Sequence, residues 1–183
     1  MKIPKQAKKV FTGEIFDTYQ WEQEMFDGSK ETFEMLGRAN TIQVIATMDD
    51  KVVIIHEEQP NFEPIYSVIG GRQEEGETPL ECAKRELLEE TGLASENWEL
   101  WYKQEPYKKM DWTVSRYIAR NCKKIAEQNL DSGERIEVKP VSFEEFIRIM
   151  IEEDSRSQDV TFEILKMHYK GEIENFKQKL FKK

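Results

Sequence analysis

Glu86, Glu89 and Glu90 stand at positions i, i+3 and i+4 of a stretch with helical signals. That spacing puts three carboxylates on one helix face within a single turn, where like charges repel and cost stability. One account is a solvated acidic face on an amphipathic helix. The surroundings favour another. Gly70-Gly71 precedes the helix, and Glu74, Glu75 and Glu77 lie in the loop that leads into it. Carboxylates converging from a loop and a helix face make a hard-oxygen set suited to Mg²⁺ or Mn²⁺. Such ions serve wherever a pyrophosphate must be neutralised and a water activated beside it. Arg85, four residues before Glu89, can pair with it across one turn.

The helix that carries these residues is well marked over 78–91. Thr78 is a natural N-cap, Pro79 suits the first helical position and Glu81 completes a capping box. Gly92 marks the end. Leu80, Ala83 and Leu87, also at helical spacing, are its expected buried face.

Upstream, residues 8–37 alternate around Asp27-Gly28, which predicts a β-hairpin. A second hairpin is expected from 41–47 and 51–59 around Asp49-Asp50, and 65–69 reads as a short strand entering the Gly-Gly turn. Downstream, 97–104, 111–120 and 136–142 read as strands. Ser142 caps a second helix with Phe143, Phe146, Ile147, Met150 and Ile151 at helical spacing, and 158–169 reads as a third. Residues 171–183 are charged and read as a helix extension or a frayed tail. The order predicts an α/β or α+β sandwich of helices over a mixed sheet.

A chain of 183 residues suits one domain, or one domain with an arm or tail. The net charge of −9 argues against non-specific nucleic-acid binding, which needs a basic face. It leaves room for a small phosphorylated ligand, because a few cations or a metal reverse the local sign. Cys82 and Cys122 fit no metal-binding spacing and read as plain thiols in a reducing compartment. The start, MKIPKQAKKVFTGEIF, has no apolar core of a signal peptide, and no apolar run is long enough to cross a membrane. The expected location is the cytoplasm, with no membrane partner. His56 and His168 show no ligand spacing.

The stretch GRQEEGETPLECAKRELLEETGL, residues 71–93, resembles the Nudix box. Gly71, Glu77, Arg85, Glu86, Leu87, Glu89, Glu90, Gly92 and Leu93 meet its fixed positions at the right spacing. The order of elements over most of the chain also resembles the Nudix fold, a mixed sheet between helices. The resemblance implies a hydrolase in which a metal-activated water attacks a phosphorus and the other phosphate leaves. Glu86, Glu89 and Glu90 would hold the divalent metal, Mg²⁺ or Mn²⁺, with the carbonyl of Gly71 or Gly70 contributing. Arg85 would orient a glutamate and Glu77 would support the loop. A general base is still needed. The family often draws it from a late loop, here 129–138, where Glu134 is favoured over Glu137 because Glu137 falls in a predicted strand. A solvated loop acid is the other reading of either residue.

Beyond the box, the chain is similar to the ADP-ribose pyrophosphatase branch of that family. This implies an N-terminal β-arm over 1–38 that joins a second subunit in a homodimer, a catalytic domain over 39–170 and a charged tail over 171–183. Pro106 falls near a proline marker of the branch. Two departures bear on the substrate. Ser67-Val68-Ile69-Gly70-Gly71 stands where the branch has Glu-Leu-Pro-Ala-Gly, and Asn61 stands where it has an arginine. ADP-ribose and other nucleotide sugars therefore stay open, with dinucleoside polyphosphates, (d)NTPs or non-catalytic nucleotide sensing as alternatives. Arg38 and Arg72 are candidate substrate contacts, each also readable as an ordinary surface arginine. Trp21, Phe62, Tyr66 and Trp112 are candidates to stack on a base, or simply core.

Overall fold

The β-branched runs at 41–48 and 51–59 form the centre of the molecule. The computed structural model describes residues 2–153 and 155–182. In chain order its elements are β1 (Lys8–Thr12), β2 (Asp17–Glu24), β3 (Lys30–Gly37), β4 (Thr41–Met48), β5 (Lys51–Gln59), β6 (Phe62–Ser67), α1 (Pro79–Thr91), β7 (Leu93–Ala94), β8 (Asn97–Gln104), β9 (Met110–Asp111), β10 (Val114–Arg120), β11 (Lys123–Lys124), β12 (Arg135–Val141), α2 (Phe143–Glu152), α3 (Gln158–Lys170) and α4 (Ile173–Leu180). The main sheet runs β12-β5-β4-β10-β8, with β6 also paired to β5. It is mixed: β10 lies parallel to β4, while β5, β6, β8 and β12 pair antiparallel.

Both faces of this sheet are covered, which explains why its central strands are apolar without a polar alternate row. The period of two sorts the residues. Val44, Ala46, Val53, Ile55 and Ala119 face α1, against Cys82, Ala83 and Leu87. Ile45, Val52, Ile54 and Ile118 face the other way, against Phe146, Met150, Ile164, Phe176 and Leu180. Leu80 of α1 is only partly buried, and Cys82 takes the deeper place. The predicted sandwich over a mixed sheet is the fold observed.

Residues 8–37 form more than one hairpin. The β2-β3 hairpin turns at Gly28, whose φ of 82° favours glycine, but β1 adds a further antiparallel strand with a bulge between Lys9 and Phe11. The strand read over 111–120 is divided. Met110 and Asp111 pair in parallel with Leu36 and Gly37, while the chain from Val114 joins β4. Between them the Thr113 amide donates to the Asn40 side chain at 2.9 Å, so the chain leaves one sheet for the other.

The charged end is a separate helix. Gly171, at φ 72°, closes α3 in the left-handed conformation, and α4 follows. Phe176 and Leu180 are four apart and both buried. Trp101 stacks on Phe176 with ring centroids 4.9 Å apart. Arg120 donates to the Lys179 carbonyl at 2.8 Å and pairs with Glu99. The abundant lysines of this segment conceal its apolar spacing in composition.

Leu180→Ala should therefore destabilise the fold by about 2–5 kcal/mol, the range for emptying a buried leucine site. Urea unfolding measures it. A loss below about 0.5 kcal/mol, the range of surface changes, would contradict the docking of α4.

Candidate active site

The approach of α1 to β4 is set by two glycines. The Ile42 amide donates to the Gly71 carbonyl at 3.0 Å, and the Val44 amide to the Ile69 carbonyl at 2.8 Å. This lays residues 69–71 along β4. A Cβ on Gly70 would strike the Ile42 carbonyl, and one on Gly71 would strike the Glu86 carboxylate. Only bare backbone fits between the strand and the helix. The helix start is locked by the predicted capping box: the Glu81 amide donates to Thr78 Oγ1 at 3.3 Å, and the Thr78 amide to the Glu81 carboxylate at 2.8 Å. The Gly71 carbonyl, a predicted metal ligand, already accepts the Ile42 bond and keeps one lone pair free.

Arg85 gathers the acidic residues. Its Nε and Nη2 donate to the two oxygens of Glu77 at 2.9 and 3.1 Å. Nη1 donates to Glu86 at 2.8 Å and to Glu89 at 3.0 Å. Nη2 also reaches the Arg72 carbonyl at 3.1 Å. The guanidinium holds the Glu77 carboxyl below its ordinary range and is itself pushed up by its carboxylate partners. Glu77 thus braces the loop, as the box resemblance implies.

Glu90 is different. It is 5% exposed, and among the described residues its one hydrogen-bond donor is the Gly70 amide, 3.1 Å away. Among the described residues it pairs with no cation. Burial and then the nearby Glu86 charge hold its carboxyl well above the ordinary range, against the Gly70 bond. Burial also raises Glu86, opposed by Arg85. Among the described residues, no three acid, His or Cys side chains stand together as a ready cation cage. Two of the three predicted ligands, Glu86 and Glu89, are instead turned to Arg85.

Of these groups, Glu90 lines a cleft of about 280 Å³ together with Arg38, Glu57, Gly70, Gly71, Arg72, Glu134 and Arg156. Glu134 also lines this cleft, its carboxyl raised first by burial and then by Asp131. Glu137 is in β12 and exposed, paired with Lys139 at 3.1 Å. Arg38 and Arg72 also line a second cavity of about 490 Å³ beneath the arm. Arg38 lies between the rings of Phe16 and Trp112, at 5.3 and 4.7 Å from their centroids. Burial and the adjacent Arg72 charge lower its pKa. Neither arginine has a carboxylate partner among the described residues, and Arg72 reaches only the Glu14 carbonyl at 3.4 Å.

None of the four aromatic candidates lines either cavity; Trp112 lines an adjoining one of about 330 Å³, stacked on Tyr107 beside Pro106. Trp21 packs on Phe33 within the arm, Tyr66 sits against His56, and Phe62 is exposed at the β5-β6 turn. Glu57 and Arg156 were missed in the sequence. Glu57 continues the Val53-Ile55 row of β5 inward, and an acid breaking an apolar alternate row was its available signal. Arg156 lies in a connection with no such pattern.

Comparisons with known proteins bear on the family and the fold. A family model described as the NUDIX domain matches residues 37–162. The chain is 26% identical to an ADP-ribose pyrophosphatase of Bacillus subtilis over 149 residues, 78% of this chain and 80% of the relative. It is likewise 26% identical to a methanol dehydrogenase activator of Bacillus methanolicus over 151 residues, 80% of this chain and 81% of that one. A crystal structure of an ADP compounds hydrolase shares the fold with a TM-score of 0.72 at 16% identity, covering 90% of this chain and 92% of the other. The box, the helix that carries it and the sheet that supports it make this chain a member of the Nudix family of hydrolases.

Proposed function

We propose that the chain is a divalent-metal-dependent hydrolase that cleaves the pyrophosphate bond of a nucleoside diphosphate joined to another group, with ADP-ribose or a nucleotide sugar as substrate. The observation that carries this reading is one cleft holding a buried carboxylate, Glu90, that pairs with no cation among the described residues, together with two arginines, Arg38 and Arg72, that have no carboxylate partner among them. A diphosphate bound together with a divalent cation would satisfy both at once. Relatives named for ADP-ribose and ADP compounds support the substrate class.

The donor set suits a hard cation: carboxylate oxygens and a backbone carbonyl, with an excess of negative charge around Glu90. Glu86, Glu89 and Glu90, with Gly71, would hold it. When bound, Mg²⁺ or Mn²⁺ supplies neutralisation of the diphosphate and a more acidic water. The chain does the rest. Arg38 and Arg72 hold the substrate's phosphates and orient the scissile bond. Glu134 takes the proton of the attacking water, with a carboxyl already raised toward the range useful to a base. Arg85 keeps the box glutamates in place. The protein acts in the cytoplasm as a homodimer joined through the arm, 1–38. Val10, Phe11, Ile15 and Phe26, all exposed on the arm, support that assembly. Light scattering should give twice the 21.7 kDa chain mass; a monomer at micromolar concentration would refute it.

Glu90→Gln should lower kcat by about 100-fold, the scale of losing one preorganised electrostatic group. It should not unfold the protein. A raised folded pKa means the charged carboxylate weakens the metal-free fold above that pKa, and the penalty vanishes below the unfolded pKa. With a chelator present, the Gln variant should melt higher than wild type at pH 8, and the gap should close toward pH 4. Unchanged turnover in the variant would sink the assignment of Glu90.

A substrate panel with Mg²⁺, covering ADP-ribose, sugar nucleotides, dinucleoside polyphosphates and dNTPs, tests the reaction. ADP-ribose or a sugar nucleotide should be cleaved fastest. Tight binding of one member without cleavage of any would point to nucleotide sensing instead.

A further inference from the structure

Two buried serines fix one arginine at the lip of the catalytic cleft. Ser155 and Ser157, in the connection between α2 and α3, are 4% and 0% exposed, while Arg156 between them reaches solvent. The Arg156 amide donates to the Tyr66 carbonyl at 3.0 Å. The Val68 amide donates to Ser157 Oγ at 3.1 Å, and the hydroxyls of Ser67 and Ser157 share a hydrogen bond of 3.1 Å. The Ser157 amide closes on Ser155 Oγ at 3.1 Å. Helix connections normally leave their backbone to water. Here the connection is sewn to the end of β6, beside the Gly-Gly turn, so the arginine's Cα is fixed relative to the box.

The side chain is fixed too. Arg156 Nη1 pairs with Glu57 Oε1 at 2.9 Å, and the Glu57 side chain is only 8% exposed. Arg156 also lines both the catalytic cleft, with Glu90 and Glu134, and an adjoining cavity of about 330 Å³ that holds Gln43, Trp112, Gln158 and Asp159. Among the described residues it is the one arginine common to these two spaces. A guanidinium has five donors in a rigid fork, so a single carboxylate leaves donors for an oxyanion.

We propose that Arg156 binds a phosphate oxygen of the substrate's diphosphate where the two cavities meet, and that Glu57 is a positioning residue for Arg156. This rests on the pyrophosphatase reading of the same site. Arg38 and Arg72 serve the phosphates from the arm side, and Arg156 serves them from the side of α3. Between these cations the diphosphate is held at both ends, with its second half directed toward Trp112 and Gln43.

The test uses the full chain with Mg²⁺. ADP binding is measured by calorimetry and ADP-ribose hydrolysis by product release, for wild type, Arg156→Ala, Arg156→Lys, Glu57→Gln and the Arg156→Ala/Glu57→Gln double variant. Arg156→Ala should weaken ADP by about 10- to 100-fold, the scale of a charge-assisted hydrogen bond. KM should rise in step while kcat holds, as for binding shared by ground and transition states. Arg156→Lys, which preserves charge and fold, should recover only part. Glu57→Gln should weaken ADP less, and the double variant should be no worse than Arg156→Ala alone, since both act through one contact. Unchanged ADP affinity in both Arg156 variants overturns the proposal. So does a Glu57→Gln effect that adds fully to Arg156→Ala and shifts the Mg²⁺ needed for activation, which would give Glu57 to the cation. A wild type that binds ADP but cleaves nothing refutes the hydrolase reading, while the binding comparison still decides the role of Arg156.

Discussion

The site depends on a single guanidinium. Arg85 touches Glu77 on the loop, Glu86 and Glu89 on the helix face, and the Arg72 carbonyl on the turn. Without it, three carboxylates one turn apart would repel, and the loop over 72–77 would lose its tie to α1. The side chain is one quarter exposed, so water screens each pair and no single bridge contributes much. The strength lies in geometry. One rigid fork meets four partners and thereby sets their spacing.

Glu90 shows the opposite use of charge. It lies on the same helix, one residue from Glu89, yet it turns inward beneath the Gly-Gly turn and away from Arg85. The fold therefore divides its acids into a set paired with Arg85 and a buried residue with no cation partner among the described residues. A buried charge without a partner is costly, and proteins keep such groups where a ligand completes them. The glycines make this division possible, because any side chain at Gly71 would occupy the space of the Glu86 carboxylate.

Much of this was legible in the residues. The capping box, the closing glycine and the carboxylate spacing are local signals, set by contacts within one or two turns, and the structure reproduces them at Thr78, Glu81 and Gly92. The two-sided burial of the sheet was implied by apolar runs such as VVII. What sequence pattern hides is pairing at a distance. Nothing near Asp111 announces that it pairs with the arm and not with the strand that follows, because its partner Gly37 lies far back in the chain. The same holds for Arg156, whose role depends on Tyr66 and Val68. The α4 helix was obscured for a different reason. Its apolar residues are few, and its lysines point to water while Phe176 and Leu180 fill the core.

The parallel pairing of β4 with β10 has a kinetic side. The turn at Gly70-Gly71 is held against β4, and β4 needs β10 as its other neighbour, a strand made long after the box helix. An intervening segment that includes the whole of α1 must first be looped out and closed, which is entropically slow compared with hairpin or helix formation. During synthesis the residues of the acidic helix emerge before β10, the strand that completes the sheet beside β4. The seat of Glu90 therefore rests on non-local pairing, and its burial is coupled to closure of that loop as well as to formation of α1.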